Sequence, residues 1–123
     1  MEEMIILSTL PKTWIFDLDG TLVKHNGYRE DGRDTLLAGV REYFAEIPPE
    51  DKIILITSRT DKCREQTVCF LREKGIRYDE ILFNMPLGER ILVNDRKPSG
   101  LETAVAVNLD RDVFEMPLVD RIL

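Results

Sequence analysis

An α/β fold built on a mostly parallel sheet is predicted by three observations. Short apolar runs of strand length alternate with stretches of helical periodicity. Three of those runs stop abruptly at polar, chemically able side chains, and open α/β sheets keep their reactive sites at such carboxyl ends. The length, 123 residues at 43% hydrophobic composition, closes one core and leaves no room for a second. Residues 1–123 are therefore expected to form a single domain.

The elements follow in order. Thr13-Trp14-Ile15-Phe16 is β-branched and aromatic and predicts a strand over 13–17, with a loop over 18–32. Leu36, Leu37, Val40, Tyr43, Phe44 and Ile47 recur at spacings of three and four, which predicts a helix over 34–47 ended by Pro48-Pro49. Its apolar face reads as core. The unbroken run from Lys52 to Ile56 predicts a strand over 52–57, buried on both faces. A helix over 61–74 follows, capped by Thr60 or Asp61, with Phe70 and Leu71 inward and Lys74-Gly75 at its end. Further strands are expected at 79–83, 90–94 and 103–108. The apolar ends, Met4 to Leu7 and Val113 to Val119, have three open roles: pairing with each other, covering the sheet edge, or forming a subunit contact.

The chemistry is concentrated at the strand ends. Asp17-Leu18-Asp19-Gly20-Thr21 places two carboxylates two apart on an extended chain, pointing the same way, before a glycine turn that can bring backbone N–H groups to an anion. A calcium loop of the EF-hand type does not fit, because Gly20 follows the second Asp directly and a strand precedes it in place of a helix. The second run ends at Thr57-Ser58-Arg59. The third, Arg90-Ile91-Leu92-Val93-Asn94-Asp95, ends at another carboxylate.

Together these residues resemble the haloacid dehalogenase superfamily of phosphotransferases, with its first, second and fourth motifs in order from Thr13 to about Leu109. The resemblance implies a Rossmann-like three-layer sandwich with a five-stranded sheet in the order 5-4-1-2-3. It makes Asp17 the nucleophile, Asp19 the general acid/base and Thr57 a phosphate-binding hydroxyl, with Ser58 beside it. Mg²⁺ would be held by Asp17, Asp95 and the backbone carbonyl of Asp19. Gly20 and Thr21 would add N–H donors to the phosphate.

Such groups suit phosphoryl transfer. Attack by Asp17 would give an aspartyl-phosphate and divide one displacement into two, while a divalent cation neutralises charge and orients the attack. The family's third-motif lysine has no clear counterpart; Arg90 is the first candidate for that cation and Lys97 the second. The fourth motif is thin, with Asn94-Asp95 where many members carry two acids and Ser99 where others carry another Asp.

No insertion long enough for a cap domain interrupts the motifs, so the site is expected to be open, with Lys24 to Arg29 as a leaving-group contact or a lid. The function implied is Mg²⁺-dependent hydrolysis of a phosphomonoester, on a sugar phosphate or related metabolite such as those of surface-polysaccharide synthesis. A catalytically weak module that binds a phosphorylated ligand or partner is the alternative. Polynucleotide 3′-phosphatase activity is a third option, which the acidic balance disfavours.

The formal charge of −6 argues against nonspecific binding to nucleic acid or an anionic membrane, although Arg90, Arg96 and Lys97 form a local basic focus. The expected partners are accordingly a small phosphorylated substrate, no nucleic acid, no membrane, and a second copy of the chain supplying the missing cap. Two cysteines at a spacing of six, Cys63 and Cys69, do not suit a disulfide, and the charged start, Glu2-Glu3, does not suit a signal sequence; a cytoplasmic location is expected.

Overall fold

The computed structural model of the chain describes residues 4–121. Its elements are β1 (Met4–Leu7), β2 (Thr13–Asp17), α1 (Gly27–Glu30), α2 (Val40–Glu46), β3 (Lys52–Ile56), a 3₁₀ turn (Asp61–Cys63) running into α3 (Arg64–Glu73), β4 (Glu80–Leu82) and β5 (Leu118–Arg121). Strands β2, β3 and β4 form a parallel sheet in that order, with Asp17 level with Ile56 and Ile56 level with Leu82. Parallel neighbours need crossovers, and α2 and α3 provide them. The result is a small α/β arrangement in which Asp17 and Thr57 emerge at the same end of adjacent strands.

One face of this sheet carries the core. Phe16, Ile53 and Leu55 are buried against Val40, Phe44 and Ile47 from α2 and its end, and against Leu71 from α3. Trp14 and Phe16 stack at 5.8 Å, and Phe16 meets Phe44 at 4.7 Å. Buried Asp51 ties the start of β2 to the turn before β3: its Oδ1 accepts from the Lys12 N–H at 3.0 Å and its Oδ2 from Trp14 Nε1 at 2.9 Å. Leu55 is fully enclosed in the central strand. Leu55→Ala is expected to cost about 2–5 kcal/mol in a urea unfolding titration, because the rigid sheet cannot collapse into the space left.

The first long helix is shorter than its periodicity predicts. Gly39, at φ 91, starts α2, while the residues before it return along the loop that follows β2. Lys24 N–H donates to Thr35 O at 2.9 Å, Leu37 N–H donates to Leu22 O at 2.9 Å, and Val23 bridges Leu36. Leu36 and Leu37 therefore reach the core from an extended segment. At α3, Thr60 makes no side-chain cap hydrogen bond. The Asp61 carboxylate instead accepts from Arg64 and Asn84, and the Arg64 hydrogen bond foremost holds its pKa below the ordinary carboxylate range.

The five-stranded order 5-4-1-2-3 is not the arrangement formed. Residues 90–94 and 103–108 make no strands, and Ile91 and Val93 stand 84% and 86% exposed. A strand persists only beside a hydrogen-bonded neighbour; in the predicted order that neighbour is β2, which lies across β3 from β4, and even an adjacent parallel strand takes a crossover of a dozen or more residues. Between β4 and Arg90 lies only the segment 83–89, with Pro86 and Gly88 in it. The sheet beyond these three strands is made elsewhere: the apolar ends pair with each other, β1 with β5, as a separate two-stranded parallel sheet. Among the described residues, no helix is long and apolar enough to cross a membrane.

Candidate active site

The loop after β2 is folded around one carbonyl. Leu18 O accepts from the N–H groups of Thr21, Leu22 and Val23 at 3.2, 2.9 and 3.2 Å, and Gly20 N–H donates to Val23 O at 2.7 Å. Leu18, Leu22 and Val23 are buried, which anchors the loop and leaves Asp17 and Asp19 on its accessible side. The N–H groups of Gly20 and Thr21, expected from the sequence to face a phosphate, are thus already engaged within the loop.

Side chains converge on the two carboxylates. Asp17 Oδ1 accepts from Arg90 Nη1 at 3.0 Å, and its Oδ2 accepts from Thr21 Oγ1 at 3.0 Å. Asp19 is gripped by Arg59, with Nη2 to Oδ1 at 2.8 Å and Nε to Oδ2 at 3.1 Å. Thr57 Oγ1 donates to Asp19 Oδ2 at 3.4 Å and accepts from the Arg59 N–H at 3.1 Å. Asp17, Asp19 and Thr21 from one stretch, Thr57 from a second and Arg90 from a third meet at the carboxyl end of the sheet. Ser58 is close by and donates to Pro86 O at 3.4 Å.

Sequence reasoning misses Arg59 and Asp34 as members of the site. Arg59 is 4% exposed and also donates from Nη1 and Nη2 to both oxygens of buried Asp34, at 3.0 and 2.7 Å, and from Nη1 to Thr67 Oγ1 at 2.9 Å. Its guanidinium carbon lies 4.0 Å from the centre of the Tyr28 ring. Burial pulls the pKa of this guanidinium down, but the hydrogen bonds and charges of Asp34 and Asp19 outweigh it and hold the group above its ordinary value. The only sequence signal is an arginine directly after the hydroxyls of Thr57-Ser58, since its partner Asp34 reads as the first residue of a helix.

Asp95 and Lys97 are not brought to this cluster by any contact. Both lie in the exposed stretch 90–100, where Thr103 Oγ1 donates to Asp95 O and Lys97 N–H donates to Leu101 O at 2.9 Å. Among the described residues, no group of three or more His, Cys, Asp or Glu is placed to hold a metal ion. The donor set assembled here, two carboxylates each already paired with an arginine, does not fit the Mg²⁺ shell that the family resemblance implies.

Gly20 is under local constraint. It sits at φ +85, and a Cβ there would approach Arg111 Cγ to 3.2 Å. Gly20→Ala is expected to strain the loop by about 1–2 kcal/mol and to displace Asp19, lowering turnover of any substrate by roughly tenfold. Steady-state kinetics beside a thermal melt would check it; wild-type kcat in a folded variant would refute it.

No protein-family model matches the chain, and no curated protein matches it. Among solved structures it is similar to a chain in the structure of the Pnkp1/Rnl/Hen1 complex, at 32% identity and a TM-score of 0.52 over 68% of this chain and 31% of the other. A chain in the structure of the Pnkp1/Rnl/Hen1 RNA repair complex is similar at 33% identity and a TM-score of 0.52, over 68% of this chain and 29% of that one. The chain thus spans less than a third of the length of these structural neighbours. The expectation of no nucleic acid partner does not survive that finding, since both neighbours come from complexes of this one set and the second is a complex of RNA repair. That expectation rests on net charge. A total over the whole surface does not describe its local distribution: exposed Arg90 reaches Asp17 and exposed Arg111 lies against Gly20.

Proposed function

We propose that the chain is a haloacid dehalogenase-like phosphoesterase that removes a terminal phosphate from a polynucleotide end. The observation that carries the reading is the pair Asp17 and Asp19 at the end of β2, each oriented by its own arginine beside the Thr57 hydroxyl. The likeness to chains of an RNA repair complex favours a polynucleotide over a sugar phosphate.

In this reading Asp17 attacks phosphorus, and the bond from phosphorus to the ribose oxygen breaks. The leaving oxygen takes a proton carried on Asp19 Oδ1, the oxygen that keeps a lone pair beyond the one facing Arg59, while Oδ2 meets both Arg59 and Thr57. Water then attacks the aspartyl-phosphate, gives its proton to Asp19, and releases inorganic phosphate with Asp17 restored. Arg90 offsets the charge gathered between Asp17 and the phosphoryl group, and the Thr57 hydroxyl, turning its one proton from Asp19, donates to a non-bridging oxygen.

The test is release of phosphate from a 3′-phosphorylated oligoribonucleotide compared with a panel of sugar phosphates, with and without Mg²⁺. Preferential turnover of the oligonucleotide supports the reading, and preferential turnover of a sugar phosphate overturns its substrate. A second reading, a module that binds a phosphorylated end without cleaving it, is favoured by one observation: among the described residues, no third carboxylate is placed with Asp17 and Asp19 to hold a metal ion. Tight binding of the oligonucleotide with no phosphate release would decide for it.

A further inference from the structure

The turn that precedes Val113 is fastened to the loop carrying Asp19. Asp112 N–H donates to Gly20 O at 2.7 Å, and His25 N–H donates to Asp112 Oδ1 at 2.7 Å. These two bonds lay Arg111 across Gly20, its Cγ 3.2 Å and its Nε 3.8 Å from the place a Cβ would take there. The stem of the arginine is therefore held against the residue next to Asp19, although the side chain as a whole is exposed.

Its neighbours among the cations are committed. Arg59 joins Asp19 and Asp34, Arg90 pairs with Asp17, and Lys24 pairs with Asp31. Arg111, by contrast, has no carboxylate within ion-pair distance among the described residues, though Asp110 and Asp112 flank it in the chain; the Asp112 carboxylate faces the His25 N–H. Nor do the N–H groups of Gly20 and Thr21 compete for an anion here, because both are satisfied inside the loop.

From this placement we infer that Arg111 binds a second phosphate of the ligand, the internucleotide phosphodiester next to the terminal phosphate. The inference rests on the proposed polynucleotide substrate and deepens it. Asp17 marks the side of the terminal phosphorus and Asp19 the side of the leaving oxygen, and Arg111 covers the residue that follows Asp19. The planar fork of a guanidinium fits the two free oxygens of a phosphodiester. A mononucleotide or sugar monophosphate has nothing at that position. The arginine thus selects for a chain end over a free metabolite.

Binding decides the matter independently of turnover. The full chain, Arg111→Met, Arg111→Lys and, as a charge-matched control, Arg72→Met on the exposed side of α3 would be titrated with two probes, a short 3′-phosphorylated oligoribonucleotide and a nucleoside 3′-monophosphate. Arg111→Met is expected to weaken the oligonucleotide about tenfold, the size of one charge-assisted contact, and the mononucleotide at least threefold less. The salt dependence of oligonucleotide binding should become shallower by about 0.7 in log–log slope, the share of a single phosphate neutralised on one strand. Arg111→Lys should recover part of the affinity, and Arg72→Met should stay within about twofold of the wild type. Equal loss for the two probes, or no loss for the oligonucleotide, overturns the assignment. Wild-type chain that binds the oligonucleotide no tighter than the mononucleotide also overturns it. If the oligonucleotide binds as described but releases no phosphate, the hydrolase reading falls and the role of Arg111 stands.

Discussion

Asp17→Asn is expected to reduce phosphate release by roughly four to six orders of magnitude, as loss of a covalent nucleophile does elsewhere. An amide presents Arg90 with a neutral oxygen where a charged one stood, and it offers phosphorus no comparable nucleophile. Fold stability should change little, because the Asp17 side chain is about a third exposed and its ion pair with Arg90 joins two partly solvated groups. Rate and melting temperature together make the prediction sharp: activity lost in a protein that melts as the wild type does. A variant that retains even a tenth of the wild-type rate would remove Asp17 from the chemistry and leave the site to binding alone. Trapping of labelled phosphate on the wild-type chain by rapid acid quench, and its absence in the variant, would locate the covalent step.

Part of this site is legible in the sequence. Strand β2 occupies the predicted residues because a β-branched and aromatic run followed by Asp-x-Asp-Gly has few other solutions, and Thr57 lands beside Asp19 because parallel neighbours end together. The Arg59 to Asp34 pairing is not legible there. It joins the end of one strand to a loop residue whose position depends on Gly39 breaking the helix early, and periodicity carries no information about that turn. The segment at 90–94 misleads for a related reason. Apolar, β-branched residues state a preference for a strand but cannot supply the neighbour that a strand requires, so Ile91 to Val93 remain exposed and no contact joins Asp95 to Asp17. Local preference reads well where a partner strand is close in the fold and poorly where pairing depends on distant connections.

Arg59→Met should be the most destabilising single change at the site, by about 3–5 kcal/mol in denaturant unfolding. The side chains of Arg59 and Asp34 are 1% and 2% exposed, so the cation cannot be replaced by water, and its loss leaves Asp34 buried with its charge uncompensated. Methionine matches the stem but fills none of the five donor positions that serve Asp19, Asp34 and Thr67. Lysine keeps the charge as a point and cannot address two carboxylates as a fork, so Arg59→Lys should recover only part of the loss. Two comparisons separate the buried charge from simple packing. Asp34→Asn leaves Arg59 paired with Asp19 and should cost less than Arg59→Met; the double replacement Arg59→Met/Asp34→Leu removes both charges and should recover stability relative to Arg59→Met alone. A loss under about 1 kcal/mol for Arg59→Met would mean that water reaches Asp34 in solution, and the pair would then count as a surface contact. In the double variant Asp19 has lost its clamp while the core is again neutral. Its remaining activity therefore reports how far orientation of Asp19 limits the rate: turnover of an alkyl phosphate should fall well below that of an activated aryl phosphate, which needs little help in releasing its oxygen.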